Sequence, residues 1–158
     1  MEFVIQGPDD AEEISKFVHD MWVETYAPII IGGRKRAEEI FYDWVGPDKI
    51  CEDMAAGHFF AYVVDGGKKL GLISAGKEGD DLDVSKIYVL PEARHRHVGS
   101  AAMNYMLDYG RRNGCSRAFL EVNPLNSSAI EFYRRVGFSI DSLKPHDVGY
   151  TLIMAIDL

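Results

Sequence analysis

The hydrophobic positions change period along this chain, and the changes outline its architecture. At the front, Glu2 to Gln6 alternates as a short strand does, and Gly7-Pro8-Asp9 breaks it. Asp9 with Glu12 has the spacing of a capping pair, and Ile14, Phe17, Val18, Met21 and Trp22 follow the stripe of an amphipathic helix. That helix is predicted to end near Tyr26-Ala27-Pro28. After Ile29-Ile30-Ile31 and the paired Gly32-Gly33, Ala37, Ile40, Phe41 and Trp44 mark a second helical face. Pro47 opens a third short helix carrying Ile50, Cys51 and Met54.

From His58 the pattern turns to strands. Phe59 to Val64 is β-branched and aromatic, Asp65-Gly66-Gly67 supplies the positive-φ residues of a tight hairpin, and Leu70 to Ala75 returns. Gly79-Asp80-Asp81 marks another turn, and Leu82 to Leu90 reads as a third antiparallel strand. Val98, Ala102, Tyr105, Met106 and Tyr109 give a helix closed by Asn113-Gly114, and Arg117 to Val122 gives a strand. Ala129, Ile130, Tyr133 and Val136 give a helix closed by Gly137, before last strands at Phe138 to Asp141 and Val148 to Ile156. The order predicts an α/β fold of the α+β kind. Helices flank a mixed, mostly antiparallel sheet in one domain spanning residues 1–158.

Composition narrows the class. A chain of 158 residues with 47% hydrophobic content suffices for one sizeable core. No apolar run reaches the roughly 18 residues a bilayer span needs, and the first residues lack the basic and apolar regions of a signal peptide. A soluble, cytoplasmic protein with no membrane partner is expected. Cys51 and Cys115 have no C-x-x-C spacing, so reduced thiols are expected as well.

The net charge of −8 is unevenly spread. Residues 1–60 hold thirteen acids against five bases, whereas residues 91–117 hold five arginines against Glu92 and Asp108. A local basic patch in an acidic protein suits a small anionic ligand, while a nucleic-acid duplex would be repelled by most of the surface.

That basic patch centres on Ile87 to Ser100. A strand ends at Pro91, a basic turn follows, and helical spacing begins at Val98. Main-chain N–H groups at such a strand–turn–helix junction suit phosphate, and Arg94 and Arg96 add charge for a doubly anionic diphosphate. An anionic cofactor is therefore expected here. His95 and His97 have no acidic or thiol partner at metal-ligand spacing, and no metal is expected.

Arg94-x-x-His97-x-Gly99-Ser100 after a strand, followed by Asn126-x-x-Ala129-x-x-x-Tyr133-x-x-x-Gly137-Phe138, resembles the GNAT superfamily of acetyl-CoA-dependent N-acetyltransferases. Trp22-Val23-Glu24-Thr25-Tyr26 ahead of a helical pair is similar to the branch that acetylates spermidine and spermine. Leu120-Glu121-Val122 with Tyr133 is similar to the branch that acetylates a ribosomal-protein N-terminus. The resemblance implies that the backbone of Ile87, Tyr88 and Val89 holds the acetyl carbonyl and pantetheine, in a strand splayed from its neighbour. It implies that Arg94, His95, Arg96, His97, Val98, Gly99 and Ser100 wrap the pyrophosphate, and that Asn126 and Tyr133 touch the cofactor. His97 stands where the family usually has glycine. Its Cβ and imidazole are expected to crowd the phosphate or bend the loop, and to add charge when protonated. With Gly99 and both arginines retained, binding is expected to survive.

The chemistry needs an acid, a base and an amine site. Tyr133 is the expected acid for the departing thiolate, although it also lies on the apolar stripe of its helix. The expected base is Glu121, with Asp83 as the other carboxylate that matches a family position. Trp22, Glu24 and Tyr26 are the expected acceptor site, an acid flanked by aromatics for a cationic amine. The expected activity is acetyl transfer from acetyl-CoA to a primary amine by direct attack, with a polyamine such as spermidine or spermine as acceptor. A protein N-terminus and a non-catalytic acyl-CoA-binding module are the alternatives. The strand from Val148 to Ile156 is a candidate for pairing across a homodimer, unless it only completes the sheet.

Overall fold

The computed structural model describes residues 1–146 and 149–158. Strand β1 (Glu2–Ile5) leads through a single 3₁₀ turn at Pro8–Asp10 into α1 (Ala11–Tyr26), α2 (Gly33–Val45) and α3 (Pro47–Ala55). Then come β2 (Phe59–Asp65), β3 (Lys68–Glu78), β4 (Asp81–Val89), α4 (Val98–Arg112), β5 (Arg117–Val122), α5 (Ser127–Val136), β6 (Ser139–His146) and β7 (Gly149–Asp157). Seven strands form one sheet in the order β1-β2-β3-β4-β5-β7-β6. Every pairing is antiparallel except that of β4 with β5. The expected mixed sheet with flanking helices is what forms.

Alternation along the central strands explains why both sheet faces are covered. On β2, Phe60 and Tyr62 pack into one core with Ile14, Val18, Trp22, Phe41 and Ile50 of α1 to α3. Ala61 and Val63 pack into the opposite core with Ala102, Met103 and Met106 of α4. Two buried faces make β2 a continuous apolar run rather than an alternating one. The two faces are called front (α1 to α3) and back (α4 and α5) below.

Several local expectations are corrected. Asp9 and Glu12 do not cap α1: Asp10 occupies the cap position, and its Oδ2 accepts the Gly7 N–H at 2.9 Å. The buried stripe of α2 is Ala37, Phe41 and Val45, whereas Trp44 is 60% exposed, because the helix rolls toward α1 on its i, i+4, i+8 row. Gln6 lies just beyond β1 but still donates its N–H to the Phe60 carbonyl. β3 runs on to Glu78, and β6 continues past Asp141 to His146.

The last strand was expected from Val148, which lies outside the described residues. From Leu152 to Ala155 β7 has β5 on one side and β6 on the other, so the strand completes the sheet. Cys51 and Cys115 are free thiols. Among the described residues no helix is long and apolar enough to cross a membrane.

Candidate active site

The central feature is a parting of two strands. β4 and β5 pair over three rungs only, Asp81–Arg117, Leu82–Ala118 and Asp83–Phe119, although β4 continues to Val89 and β5 to Val122. Beyond Asp83, β4 stays with β3, which it follows as far as Gly71–Val89. A bulge helps to turn it away: Ala75 pairs with Val84 and Ser74 with Lys86, so Ser85 is the extra residue. The result is a gap walled by main chain, closed at Asp83–Phe119 and open toward Val89 and Val122.

The open end leads into the basic loop. Pro91–Ala93 makes one 3₁₀ turn, and α4 starts at Val98. His95 (φ 61°) and His97 (φ 62°) are the two non-glycine residues with positive φ among the described residues. Position 97 therefore takes the conformation that glycine favours, and the chain adopts it with an imidazole in place. Both histidine side chains are exposed, so the ring of His97 does not fold into the turn. Ala101 closes the first helical turn on the His97 carbonyl. From His95 to Ser100, no main-chain N–H makes a close, well-aligned hydrogen bond within the protein among the described residues. These are the unsatisfied donors of a helix start, extended backward by the turn.

Arg94 and Gly99 hold this arrangement in place. Arg94 Nε donates to the Val89 carbonyl at 3.1 Å, tying the loop to the end of β4 and leaving the terminal guanidinium nitrogens for an anion. Arg96 is exposed. A Cβ at Gly99 would come within 3.3 Å of the Phe132 ring, so this glycine also sets the close approach of α4 and α5.

Three phenols converge beside the gap. Burial pushes the Tyr133 phenol well above its ordinary value, and Tyr26 adds to the effect. The Tyr88 phenol is likewise raised by burial, with further contributions from Tyr26 and Tyr133. Tyr26, at the end of α1, is raised by burial too. Side chains from α1, β4 and α5 thus share one neighbourhood. Tyr133 also packs against Phe132 and Phe138, with ring centroids 5.5 and 6.1 Å away. Asn126 caps α5, accepting the Ala129 N–H through Oδ1 at 3.4 Å.

Other expected residues are not brought together. Trp22 is 5% exposed and packs on Tyr26 (4.7 Å) and Phe41 (5.6 Å) in the front core. Glu24 is exposed, and two positions along a helix carry it to the other side from Trp22 and Tyr26. An acid between two rings does not form, because the three residues never shared a helix face. Glu121, the expected base, is exposed and accepts from Lys144 Nζ at 3.3 Å. Asp83 is held by His58, with Nε2 to Oδ2 at 3.1 Å.

His58 and Lys86 escaped the sequence reading. Lys86 is largely buried on β4, 3.5 Å from Asp53 of α3, and burial lowers its ammonium below the ordinary lysine value. Asp53 also binds Lys49 at 2.6 Å. Gly76 lies just past the expected strand end at Ala75 but inside the observed β3, where a glycine marks a close approach by another group. That group is the His58 ring.

A main-chain gap, a donor-rich helix start and a half-buried tyrosine beside both define a site for an acyl thioester carried on an anionic cofactor. Residues 16–138 match the model of the Acetyltransferase (GNAT) family, and the chain belongs to that family of acyltransferases.

Similar proteins include the streptothricin acetyltransferase of Streptomyces lavendulae, 31% identical over 93 residues, which are 58% of this chain and 49% of that protein. An uncharacterized N-acetyltransferase of Methanocaldococcus jannaschii is 31% identical over 87 residues, 51% of this chain and 38% of its own length. The chain thus spans about half or less of the curated relatives it matches. Among solved structures, the PaiA N-acetyltransferase of Thermoplasma acidophilum in complex with coenzyme A superposes with a TM-score of 0.82 over 100% of both chains, at 19% identity. At that identity the likeness speaks for the fold.

Proposed function

We propose that this protein transfers an acetyl group from acetyl-CoA to a primary amine by direct attack on the thioester. The observation that carries the reading is the continuity of the gap beyond Asp83–Phe119 with the run of free N–H groups from His95 to Ser100. Amides along the gap suit the amide-bearing pantetheine arm, and the helix start suits the diphosphate. When bound, acetyl-CoA supplies the activated acyl group. Main chain at Ile87, Tyr88 and Val89 would hold the arm, and Arg94 to Ser100 would hold the diphosphate. Asn126 would line the cofactor side from the cap of α5.

Tyr133 acts as the acid. A phenol raised by burial stays protonated at neutral pH and can hand its proton to a departing thiolate. A carboxylate, Glu121 or Asp83, takes the ammonium proton through water. Much of the rate comes from alignment of the two reactants in the gap.

A polyamine such as spermidine or spermine is the favoured acceptor. With the Trp22–Glu24–Tyr26 cradle not formed, its support is the net charge of −8 and the acid-rich first 60 residues, which draw cations toward the front face. Tyr26, beside Tyr133, is the residue of that trio able to meet the acceptor. The test is free-thiol release from acetyl-CoA with spermidine, spermine, amino-terminal peptides and lysine peptides. Turnover with the polyamines supports the full reading, and turnover with an amino-terminal peptide alone replaces the acceptor. CoA-dependent thermal stabilisation without thiol release on any amine marks a binding module instead.

A further inference from the structure

His58 precedes β2 and reaches across the sheet rather than along its own strand. Gly76 on β3 makes the reach possible, since a Cβ there would stand 2.9 Å from the imidazole. Beyond Gly76, Nε2 of His58 meets Asp83 Oδ2 at 3.1 Å. Asp83 opposes Gly76 on one side and Phe119 on the other, on the last rung before β4 and β5 part. Its carboxylate therefore stands at the closed end of the gap.

The pair is half-buried, with the side chains 17% and 24% exposed. The other ring nitrogen, His58 Nδ1, is buried and has no partner among the described residues. A histidine kept only to fill and bond the interior normally satisfies both nitrogens. Here one serves a carboxylate and the other serves nothing, an arrangement that costs stability and calls for another use. The charged groups facing the ring are Asp83 and Lys86 of β4 and Asp53 of α3. The Asp83 hydrogen bond outweighs burial, and the imidazole is raised above the ordinary histidine value.

We infer that His58 is a positioning residue for acetyl transfer: it fixes Asp83 at the closed end of the gap, and Asp83 rather than Glu121 takes the amine proton. The inference rests on the acetyl-transfer reading above. Glu121 is exposed and engaged with Lys144 on the outer strand β6, whereas Asp83 has Oδ2 fixed by His58 and Oδ1 without a partner among the described residues. An ammonium gives one proton through a water to Asp83 Oδ1. The amine nitrogen then bonds the carbonyl carbon as the carbon–sulfur bond breaks, and Tyr133 gives its proton to sulfur. The phenol regains a proton from the new amide nitrogen, and Asp83 returns its own to solvent. While His58 is cationic it offsets the Asp83 charge and weakens the base; once neutral, it still donates through Nε2 and leaves that charge whole.

The experiment is the pH profile of kcat/KM for wild type, His58→Gln, His58→Ala, Asp83→Asn and Glu121→Gln, with coenzyme A affinity by calorimetry and a thermal melt for each. Wild type should show an acid-side limb above the ordinary histidine pKa. His58→Gln keeps the donor without the titration, so it should retain activity within about tenfold and lose that limb. His58→Ala should lose roughly tenfold or more, and Asp83→Asn about a hundredfold, with coenzyme A affinity unchanged. Glu121→Gln should lose at least about tenfold less than Asp83→Asn. Active His58→Ala and Asp83→Asn, a limb retained in His58→Gln, or a loss carried by Glu121→Gln would each overturn the inference and leave acetyl transfer standing. A wild type that turns over no amine takes both readings down.

Discussion

Asp83 of β4 and Phe119 of β5 are the last residues those strands share, and past them each strand presents main chain to an open gap. A ligand lying there bonds to backbone, so its grip depends on strand geometry more than on side-chain identity. Adding coenzyme A should slow amide exchange in the loop and first turn, residues 95–100, and along residues 84–89. Exchange on the Asp81–Asp83 rungs should be unchanged. Hydrogen exchange followed by mass spectrometry reads this directly, and protection confined to other segments would contradict it.

Tyr133→Phe removes one hydroxyl from a packed ring and leaves the core contacts with Phe132 and Phe138 in place. Activity should fall by roughly 10²–10⁴-fold, the range of a lost general acid. The dissociation constant of coenzyme A should move by less than about threefold, since the phenol acts on the leaving sulfur rather than on the diphosphate. Steady-state kinetics beside calorimetry separates the two effects. Unchanged kcat would remove Tyr133 from the chemistry.

His97 holds a left-handed conformation that costs a side-chain-bearing residue about 1–2 kcal/mol relative to glycine. His97→Gly should therefore stabilise the protein, net of the entropy glycine adds to the unfolded chain, by roughly 0.5–1 kcal/mol. Thermal melts check the effect. A destabilised His97→Gly protein would mean that the imidazole makes contacts worth more than the strain.

Stability should depend on pH through His58. Its folded pKa is raised, chiefly by the Asp83 hydrogen bond. The contribution is then fully present below about 6.5, the ordinary histidine value, and is lost as pH rises through the higher folded value. Urea unfolding between pH 5.5 and 8.5 should show this fall, and Asp83→Asn should flatten it. A wild-type curve with no slope above pH 6.5 would contradict a histidine held charged by Asp83.

Local pattern made most of the fold legible. The change from helical to alternating spacing at His58, and back at Val98, places the helices and strands to within a few residues, because burial on one face imposes a period. What stayed hidden came from distant partners. Trp44 lost its buried place to Val45 because α2 turns its i+4 row toward α1, which only packing decides. Trp22, Glu24 and Tyr26 read as one acceptor site when written in a line, yet a helix sends Glu24 to the opposite side. The His58–Asp83 bond joins residues separated by 25 positions across an intervening strand, and no local spacing encodes it. The bulge at Ser85 is equally silent in sequence, although it helps to open the gap. His97 ran the other way: the family resemblance marked its position as one where glycine is usual, and the backbone there has positive φ.

Acetyl transfer stands or falls with coenzyme A seated in the gap and the loop together. Isothermal titration of the protein with coenzyme A decides the point, with Arg96→Glu as the control for the loop. One site per chain is expected, with affinity lowered about tenfold or more in Arg96→Glu as a cation at the diphosphate becomes an anion. No heat at millimolar coenzyme A, with no shift in the thermal melt, would contradict it.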